Sequence, residues 1–264
     1  MSVRFVSFTS GSCGNASYLG FRDEHGEHGI LIDAAASLRR LKAFPDIHPE
    51  AVLITHDHGD HVRHIGSWCK KLGLPVWATP AVHGALLHHP LSREHLPPYR
   101  KDLSLDRENA VLPGWQARAF VVPHDATETV GLRIVLPDGH RFVLMTDLGF
   151  VTPEAMACAA EADTVVIESN YDEQMLINGD YAPELKRRIA GGAHLSNGAC
   201  AAAIREFWHP GLRNLFLCHL SGNNNTPALA LASARQALTS IGVDAASVNL
   251  RILPRGEATP MLFL

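Results

Sequence analysis

The 264 residues are 46% hydrophobic and 19% charged, with a net charge of -4; this balance fits a folded chain with a sizeable core and excludes both disorder and a global pull toward nucleic acid. Five cysteines, odd in number and without a C-x-x-C, exclude a disulfide framework or a cysteine zinc knuckle and read as reduced, buried thiols. No apolar run approaches the roughly 20 residues of a membrane span, and Met1-Ser2-Val3-Arg4-Phe5 lacks the pattern of a signal peptide, so one cytoplasmic domain over residues 1–264 is expected.

In chain order, alternation predicts strands over Val3–Phe8, Ala16–Phe21 and Ile30–Ile32, read as a meander, with a turn at Ser10-Gly11-Ser12-Cys13-Gly14-Asn15. Ser37 is expected to cap a helix reaching Phe44, and Ala51–Thr55 reads as a short buried strand. A helix is expected from Asp60 on the apolar positions Val62, Ile65, Trp68, Cys69 and Leu72, then a strand over Pro75–Ala78 and a helix over Pro80–Leu87. The Pro-, His- and charge-rich stretch 88–106 reads as a surface loop or lid. Strands follow over Trp115–Val122, Thr129–Leu136 and Arg141–Thr146, the last two joined at Asp138-Gly139, a strong hairpin signal. The remainder alternates helices (Pro153–Ala162, Pro183–Ala190, Gly198–Trp208, Pro227–Ile241) with strands (Thr164–Ile167, Asn214–Cys218, Leu250–Leu253). Two mixed sheets covered by helices, an α/β four-layer αββα sandwich, is the economical packing of this order.

The chemistry concentrates at His56-x-His58-x-Asp60-His61, directly after Ala51-Val52-Leu53-Ile54. Two histidines two apart on an extended segment point the same way, whereas on a helix they would diverge by about 200°. His56 and His58 can therefore share one ion. Gly59 lets the chain turn, so that Asp60 and His61 open the next helix and aim at a second position. Imidazole with carboxylate suits zinc and other borderline divalent metals. Further ligand-competent residues stand where apolar runs end: His124 after Phe120-Val121-Val122-Pro123, Asp147 after Phe142–Thr146, and His219 after Leu215–Cys218. One such residue alone reads as a turn. Three of them, added to the cluster, read as a site.

With these residues in place, the chain resembles the metallo-β-lactamase fold superfamily, whose motifs it carries in order. Within that superfamily, Ser10-Gly11-Ser12-x-Gly14-Asn15, Thr146-Asp147-Leu148-Gly149, Glu168-Ser169-Asn170-Tyr171-Asp172, His194-Leu195-Ser196-Asn197 and His219-Leu220-Ser221-x-x-Asn224-Asn225 are similar to the YycJ/WalJ group, bacterial cytoplasmic proteins near its nuclease and phosphodiesterase branches. The resemblance implies that His56, His58 and His124 hold one divalent ion, that Asp60, His61 and His219 hold another, that Asp147 bridges them, and that Asp33 anchors the metal loop. It departs from the pattern at Ala193, where glycine is expected.

A carboxylate at Asp147, where lactam hydrolases of the fold carry cysteine, favours phosphate esters, because two coupled ions about 3.5–4 Å apart can clamp the attacking and leaving oxygens. Glu168 and His194 resemble a pair that protonates the leaving oxygen in tRNA 3′-processing members; the plain alternative is a structural ion pair. His194, Glu168 and Asp60 are the expected catalytic residues. Ser12 and Asn15, ordinary turn residues by themselves, could hold a phosphate oxygen beside the ions; Asn170, Ser196, Asn197 and Asn223 are similar candidates for substrate binding. The expected activity is a dinuclear hydrolase with Zn²⁺, or Mn²⁺, which the ligands tolerate, acting on DNA in preference to RNA. Metal-activated water is the nucleophile, and 5′-to-3′ exonuclease action is implied by the resemblance alone. A phosphodiesterase for cyclic or alkyl phosphates fits the acidic balance better and stands as the alternative. A non-catalytic regulatory protein is disfavoured by the complete ligand set. Short basic runs such as Arg39-Arg40, Lys70-Lys71 and Lys186-Arg187-Arg188 read as solvated helix faces.

Overall fold

The computed structural model describes residues 1–264 and contains fourteen strands in two seven-stranded sheets. In chain order these are β1 (Ser2–Thr9), β2 (Ala16–Asp23), β3 (Gly26–Ile32), β4 (Pro49–Leu53), β5 (Val76–Ala78), β6 (Arg100–Asp102), β7 (Asn109–Leu112), β8 (Trp115–Val122), β9 (Thr129–Val135), β10 (Arg141–Met145), β11 (Thr164–Glu168), β12 (Asn214–Cys218), β13 (Asn249–Ile252) and β14 (Leu262–Phe263). The first sheet has the order β14-β1-β2-β3-β4-β5-β6 and the second β13-β12-β11-β10-β9-β8-β7. Each sheet is half meander and half crossover. β1 to β3 pair antiparallel and β3 to β6 parallel, while β7 to β10 pair antiparallel and β10 to β13 parallel.

The period-2 alternation of side chains sets the layers. In β12, Phe216 and Cys218 face the other sheet, whereas Leu215 and Leu217 face the helices. In β1, Phe5 packs between the sheets, 5.4 Å from the ring of Phe142 and 5.8 Å from that of Phe216, while Val6 and Phe8 face outward. Truncating such a buried ring to alanine costs about 3–5 kcal/mol. The outward face of the first sheet is covered by α1 (Leu38–Leu41), α2 (Gly59–Val62), α3 (Ile65–Leu72) and α4 (Pro80–His88). α5 (Pro153–Ala159) covers the second sheet; α6 (Glu173–Asn178) and α7 (Pro183–Arg188) build a separate small cluster from Leu176, Ile189 and Tyr171; and α8 (Asn197–Phe207) and α9 (Pro227–Ser240) join α5 on the second sheet. The molecule is thus the four-layer αββα sandwich.

Some local expectations change. Residues 88–106 form no lid: they run through a 3₁₀ turn at Pro97–Tyr99 into β6, which pairs parallel with β5 at the sheet edge. The helix from Asp60 breaks at Arg63-His64, because the His61 carbonyl accepts the Ala34 N–H at 2.6 Å and the His64 N–H donates to the Ala34 carbonyl at 2.8 Å, diverting both from helical bonds. The β9–β10 turn is longer than a two-residue hairpin, with Gly139 at φ 87° after a Gly139 N–H bond to the Leu136 carbonyl. β7, β14 and α6 were not expected; two are short edge strands and the third a six-residue helix, lengths too small to carry a period.

Candidate metal centre

The centre lies where strands end, as in other α/β sheets whose loops gather beyond the carboxyl ends of parallel strands. Asp33 follows β3, Asp147 follows β10 and His219 follows β12, and these are the non-glycine residues with positive φ: 57°, 56° and 53°. The left-handed region costs such residues about 1–3 kcal/mol each. It turns the chain sharply out of the strand, and tertiary bonds hold the turn. The Asp33 carboxylate accepts from the Thr55 N–H at 2.9 Å and the Thr55 hydroxyl at 3.0 Å; the His219 N–H donates to Ser10 Oγ at 2.9 Å. Strain gathered at three strand ends around one point marks a functional site.

Two sets of three residues able to hold a metal ion face one another across Asp147. The ligand-competent atoms of His56, His58 and His124 lie within 4.8 Å of one another, and so do those of Asp60, His61 and His219. His61 Nε2 is 3.1 Å from Asp147 Oδ2, while His219 Nε2 and His124 Nε2 are 3.5 and 3.9 Å from Asp147 Oδ1. The Nε2 atoms of His56 and His219 are buried with no hydrogen-bond partner. A buried polar atom without a partner costs about 1–3 kcal/mol, and its presence here twice, aimed at shared carboxylates, fits a divalent ion at each position.

Four of the five imidazoles, all but His58, are held by their other nitrogen. His61 Nδ1 lies 2.8 Å from Asp33 Oδ2 and His219 Nδ1 2.7 Å from Glu168 Oε1. His56 Nδ1 meets Thr55 Oγ1 at 3.1 Å, and His124 Nδ1 meets the Ala193 carbonyl at 2.6 Å. Protonation follows these partners. Burial, reinforced by His61, drives His56 well below the ordinary imidazole range. For His61 burial acts in the same direction, but Asp33 and Asp147 outweigh it and raise the group well above that range. His219 is likewise pushed up to about 10 against burial by Asp147, Asp60 and Glu168. Asp147 is held well below the usual carboxylate range, since His219 and His61 outweigh the effect of burial.

His194 is delivered separately, by a wide turn over Ile189–Ala193 in which Gly192 takes φ 115°. Gly149 makes this possible: a Cβ there would sit 2.0 Å from the Gly192 carbonyl oxygen, so glycine lets the Asp147 loop pack directly on the turn. His194 Nδ1 lies 2.9 Å from Glu168 Oε1, and Nε2, which has no partner in the chain, belongs to a residue lining the cleft. Burial lowers its affinity for a proton, but the Glu168 charge and hydrogen bond overcome this and raise it. Glu168 is fully buried and also accepts from the Leu148 N–H at 3.0 Å and the Leu195 N–H at 3.2 Å. Ala193 keeps an ordinary negative φ, so the absence of glycine there distorts nothing.

The expected substrate contacts divide. Ser12 and Asn170 line the cleft with His58, Asp60, His124, Asp147, His194 and His219. Asn170 is also tied inward, its Nδ2 donating to the His219 carbonyl at 2.8 Å. Asn15 is buried and committed: Gly11 N–H donates to its Oδ1 at 2.9 Å, and its Nδ2 donates to the Gly11 carbonyl at 3.1 Å, with His61 Nε2 at 2.8 Å. Ser196 caps α8 by accepting from the Ala199 N–H, and Asn197 is buried with Ser169 and Asn225. Neither belongs to the cleft, so both are reassigned as scaffold: their polar groups are consumed by the fold. Asn223 is exposed and donates to Tyr181 Oη at 3.0 Å. The cleft also presents Tyr181, Leu185, Arg188 and Ser221, none of them among the expected site residues. Arg188 stood inside a basic run read as a solvated face; instead its Nε donates to Asp125, next to the candidate ligand His124. Thr55 was missed as well, although its place immediately before His56 was a usable signal.

This fold and its clustered histidines and aspartates define the class: the chain belongs to the β-lactamase superfamily, whose domain model, described as "Beta-lactamase superfamily domain", matches residues 28–219. Within it the chain is a metallo-β-lactamase-fold protein of the YycJ/WalJ type. It is 29% identical over 251 residues to "Exodeoxyribonuclease YycJ" of Bacillus anthracis, covering 92% of this chain and 91% of the relative. It is 30% identical over 255 residues to "Exodeoxyribonuclease WalJ" of Streptococcus pneumoniae, covering 92% and 93%. The metallo-β-lactamase fold protein YhfI of Bacillus subtilis superposes with a TM-score of 0.70 at 16% identity, covering 97% of this chain and 99% of that one. No helix is long and apolar enough to cross a membrane.

Proposed function

We propose that the protein is a dinuclear metal-dependent hydrolase of phosphodiester bonds, acting on DNA as a 5′-to-3′ exonuclease. One observation carries this reading: a single buried carboxylate, Asp147, lies between two sets of ligand-competent residues, with His61 Nε2 of one set 3.1 Å from Oδ2 and His124 Nε2 of the other 3.9 Å from Oδ1. In the proposal His56, His58 and His124 hold one ion, Asp60, His61 and His219 hold the other, and Asp147 serves both. Zn²⁺ and Mn²⁺ both suit this donor set, with Zn²⁺ favoured by intrinsic affinity. Two such ions supply charge neutralisation at the phosphate and water acidified from about 15.7 to about 7. DNA as the polymer is supported by relatives that carry exodeoxyribonuclease names at 29% and 30% identity.

The chain's own groups do the rest. Asp147 keeps the two positive positions from repelling each other, and Asp60 orients the attacking side. Ser12 and Asn170 face the cleft where a phosphate oxygen would rest. His194 hands its Nε2 proton to the departing sugar oxygen, while Glu168, bonded to Nδ1, fixes the ring and offsets the charge it carries. Purified protein loaded with Mn²⁺ or Zn²⁺ and offered 5′- or 3′-labelled duplex DNA, RNA and bis(p-nitrophenyl) phosphate tests the reading. Release of nucleotides from the 5′ end of DNA is expected. Hydrolysis of the aryl ester alone would favour a small phosphodiester as substrate. Inertness toward all three with two ions bound would refute a hydrolase.

A further inference from the structure

Outside the centre, two arginines without a carboxylate partner rest against the loop that carries Ser12. Arg63 donates from Nη1 to the Cys13 carbonyl at 2.9 Å, and Arg255 from Nη2 to Cys13 Sγ at 3.7 Å. Neither has a carboxylate within 4.0 Å, whereas Arg188, the arginine that lines the cleft, is paired with Asp125. The Arg255 Nε is buried without a partner. Burying a guanidinium donor unpaired is costly unless an anion completes it.

The fold makes room for this guanidinium. A Cβ on Gly222 would fall 1.6 Å from Arg255 Nη1, and one on Gly11 would fall 3.1 Å from Arg255 Nε. The side chain is therefore wedged between the Ser10–Asn15 loop and the His219–Asn225 loop. Each loop sends one serine, Ser12 and Ser221, into the cleft. The backbone behind it is pinned: Thr9 Oγ1 donates to the Arg255 carbonyl at 2.6 Å, and Arg40 ties the Phe8 carbonyl at 2.9 Å to the Gly256 carbonyl at 2.7 Å. On a chain of net charge -4, these two guanidiniums stand without a carboxylate beside Ser12, which lines the cleft.

We infer that Arg63 and Arg255, on either side of Cys13, form a seat for backbone phosphates of the DNA strand beyond the phosphodiester being cleaved. The inference rests on the proposed DNA-cleaving reading and adds the path by which a polymer is distinguished from a small phosphodiester. Guanidinium forks suit phosphate oxygens, and such contacts position a strand without reading its sequence. The strand therefore leaves the metal centre over Ser12 and away from the wall formed by Tyr181 and Arg188.

The test measures anisotropy of a labelled, 5′-phosphorylated 12-mer single-stranded DNA with phosphorothioate linkages, which resist cleavage and keep the charge, binding to metal-loaded protein over a range of salt. Arg63→Gln with Arg255→Gln should weaken binding by about tenfold or more per arginine at low salt. It should flatten the plot of log affinity against log salt by about 0.7 per contact, so about 1.4 for the pair. Arg255→Lys should restore most of the slope and less of the affinity, since it keeps the charge and loses the fork. Metal stoichiometry and the thermal midpoint identify variants that fold. If Arg255→Gln does not, Arg63→Gln at its exposed position must still flatten the slope by about 0.7. An unchanged slope in a folded variant overturns the seat and leaves the nuclease reading intact. Absence of DNA binding by the wild type overturns the nuclease reading itself, and tighter binding of RNA through the same arginines overturns the choice of DNA.

Discussion

The two triads that meet at Asp147 are braced by groups of different charge. His56 and His124 lean on the Thr55 hydroxyl and the Ala193 carbonyl, both neutral, and this triad contains no carboxylate of its own. His61 and His219 lean on the carboxylates of Asp33 and Glu168, and Asp60 completes their set. A carboxylate behind an imidazole raises its basicity and fixes its orientation. The anionic triad should therefore bind its ion more tightly, and the all-histidine triad should be the one that empties first. The lesson is that ligand identity alone makes the two positions look equivalent, whereas their supports rank them.

The largest effect should come from the residue the triads share. Asp147→Asn keeps the shape and removes the charge between the two positions, so metal content should fall from about two to about one. Activity should fall by about 10³-fold or more, in line with the several kcal/mol a metal contributes. Elemental analysis and rates on labelled DNA check it, and two retained ions with near-normal turnover would remove Asp147 from the bridging position.

His194→Ala should follow, with both ions kept, a loss of roughly 10²–10⁴-fold on DNA and a much smaller loss on an activated aryl phosphate, which needs no acid. A lost ion, or equal losses on both substrates, would place His194 among the ligands instead. Glu168→Gln sharpens the contrast, because Glu168 Oε1 touches both His194 and His219. It should impair the acid and also loosen the ion of the anionic triad, unlike His194→Ala.

The supports can be compared directly. Asp33→Asn should weaken metal binding at the Asp60–His61–His219 position by about 10–100-fold, while Thr55→Val, which removes the neutral brace of His56 together with one hydrogen bond to Asp33, should cost less at the His56–His58–His124 position. Metal competition with a chromogenic chelator ranks the two; the reverse ranking would contradict the electrostatic account. The smallest effect belongs to Ala193→Gly. Since Ala193 braces His124 through its backbone carbonyl and has no positive φ, glycine should leave metal content unchanged and lower stability by about 0.5–1 kcal/mol.

The cluster from His56 to His61, which serves both triads, was readable because it packs four ligand-competent side chains into six residues. His124, Asp147 and His219 were readable only as ends of apolar runs, each meaningful in the company of the others. The left-handed conformations at Asp33, Asp147 and His219 left no trace in composition, because tertiary bonds at the turns hold them, from Asp33 to Thr55, from the Leu148 N–H to Glu168 and from His219 to Ser10. Ser196 and Asn197 were misjudged for the opposite reason: a polar residue beside an expected catalytic histidine looks available, yet a helix cap and a buried amide network consume it. Residues 88–106 showed a limit of composition, since a three-residue edge strand needs no alternation to pair.

Anomalous diffraction from crystals of the metal-loaded protein tests the central claim most directly. Two peaks about 3.5–4 Å apart on either side of Asp147 are predicted, one beside His56 Nε2 and one beside His219 Nε2, with the His56 peak lost first on partial chelation. A single peak, or a peak bound to Glu168 and His194, would contradict it.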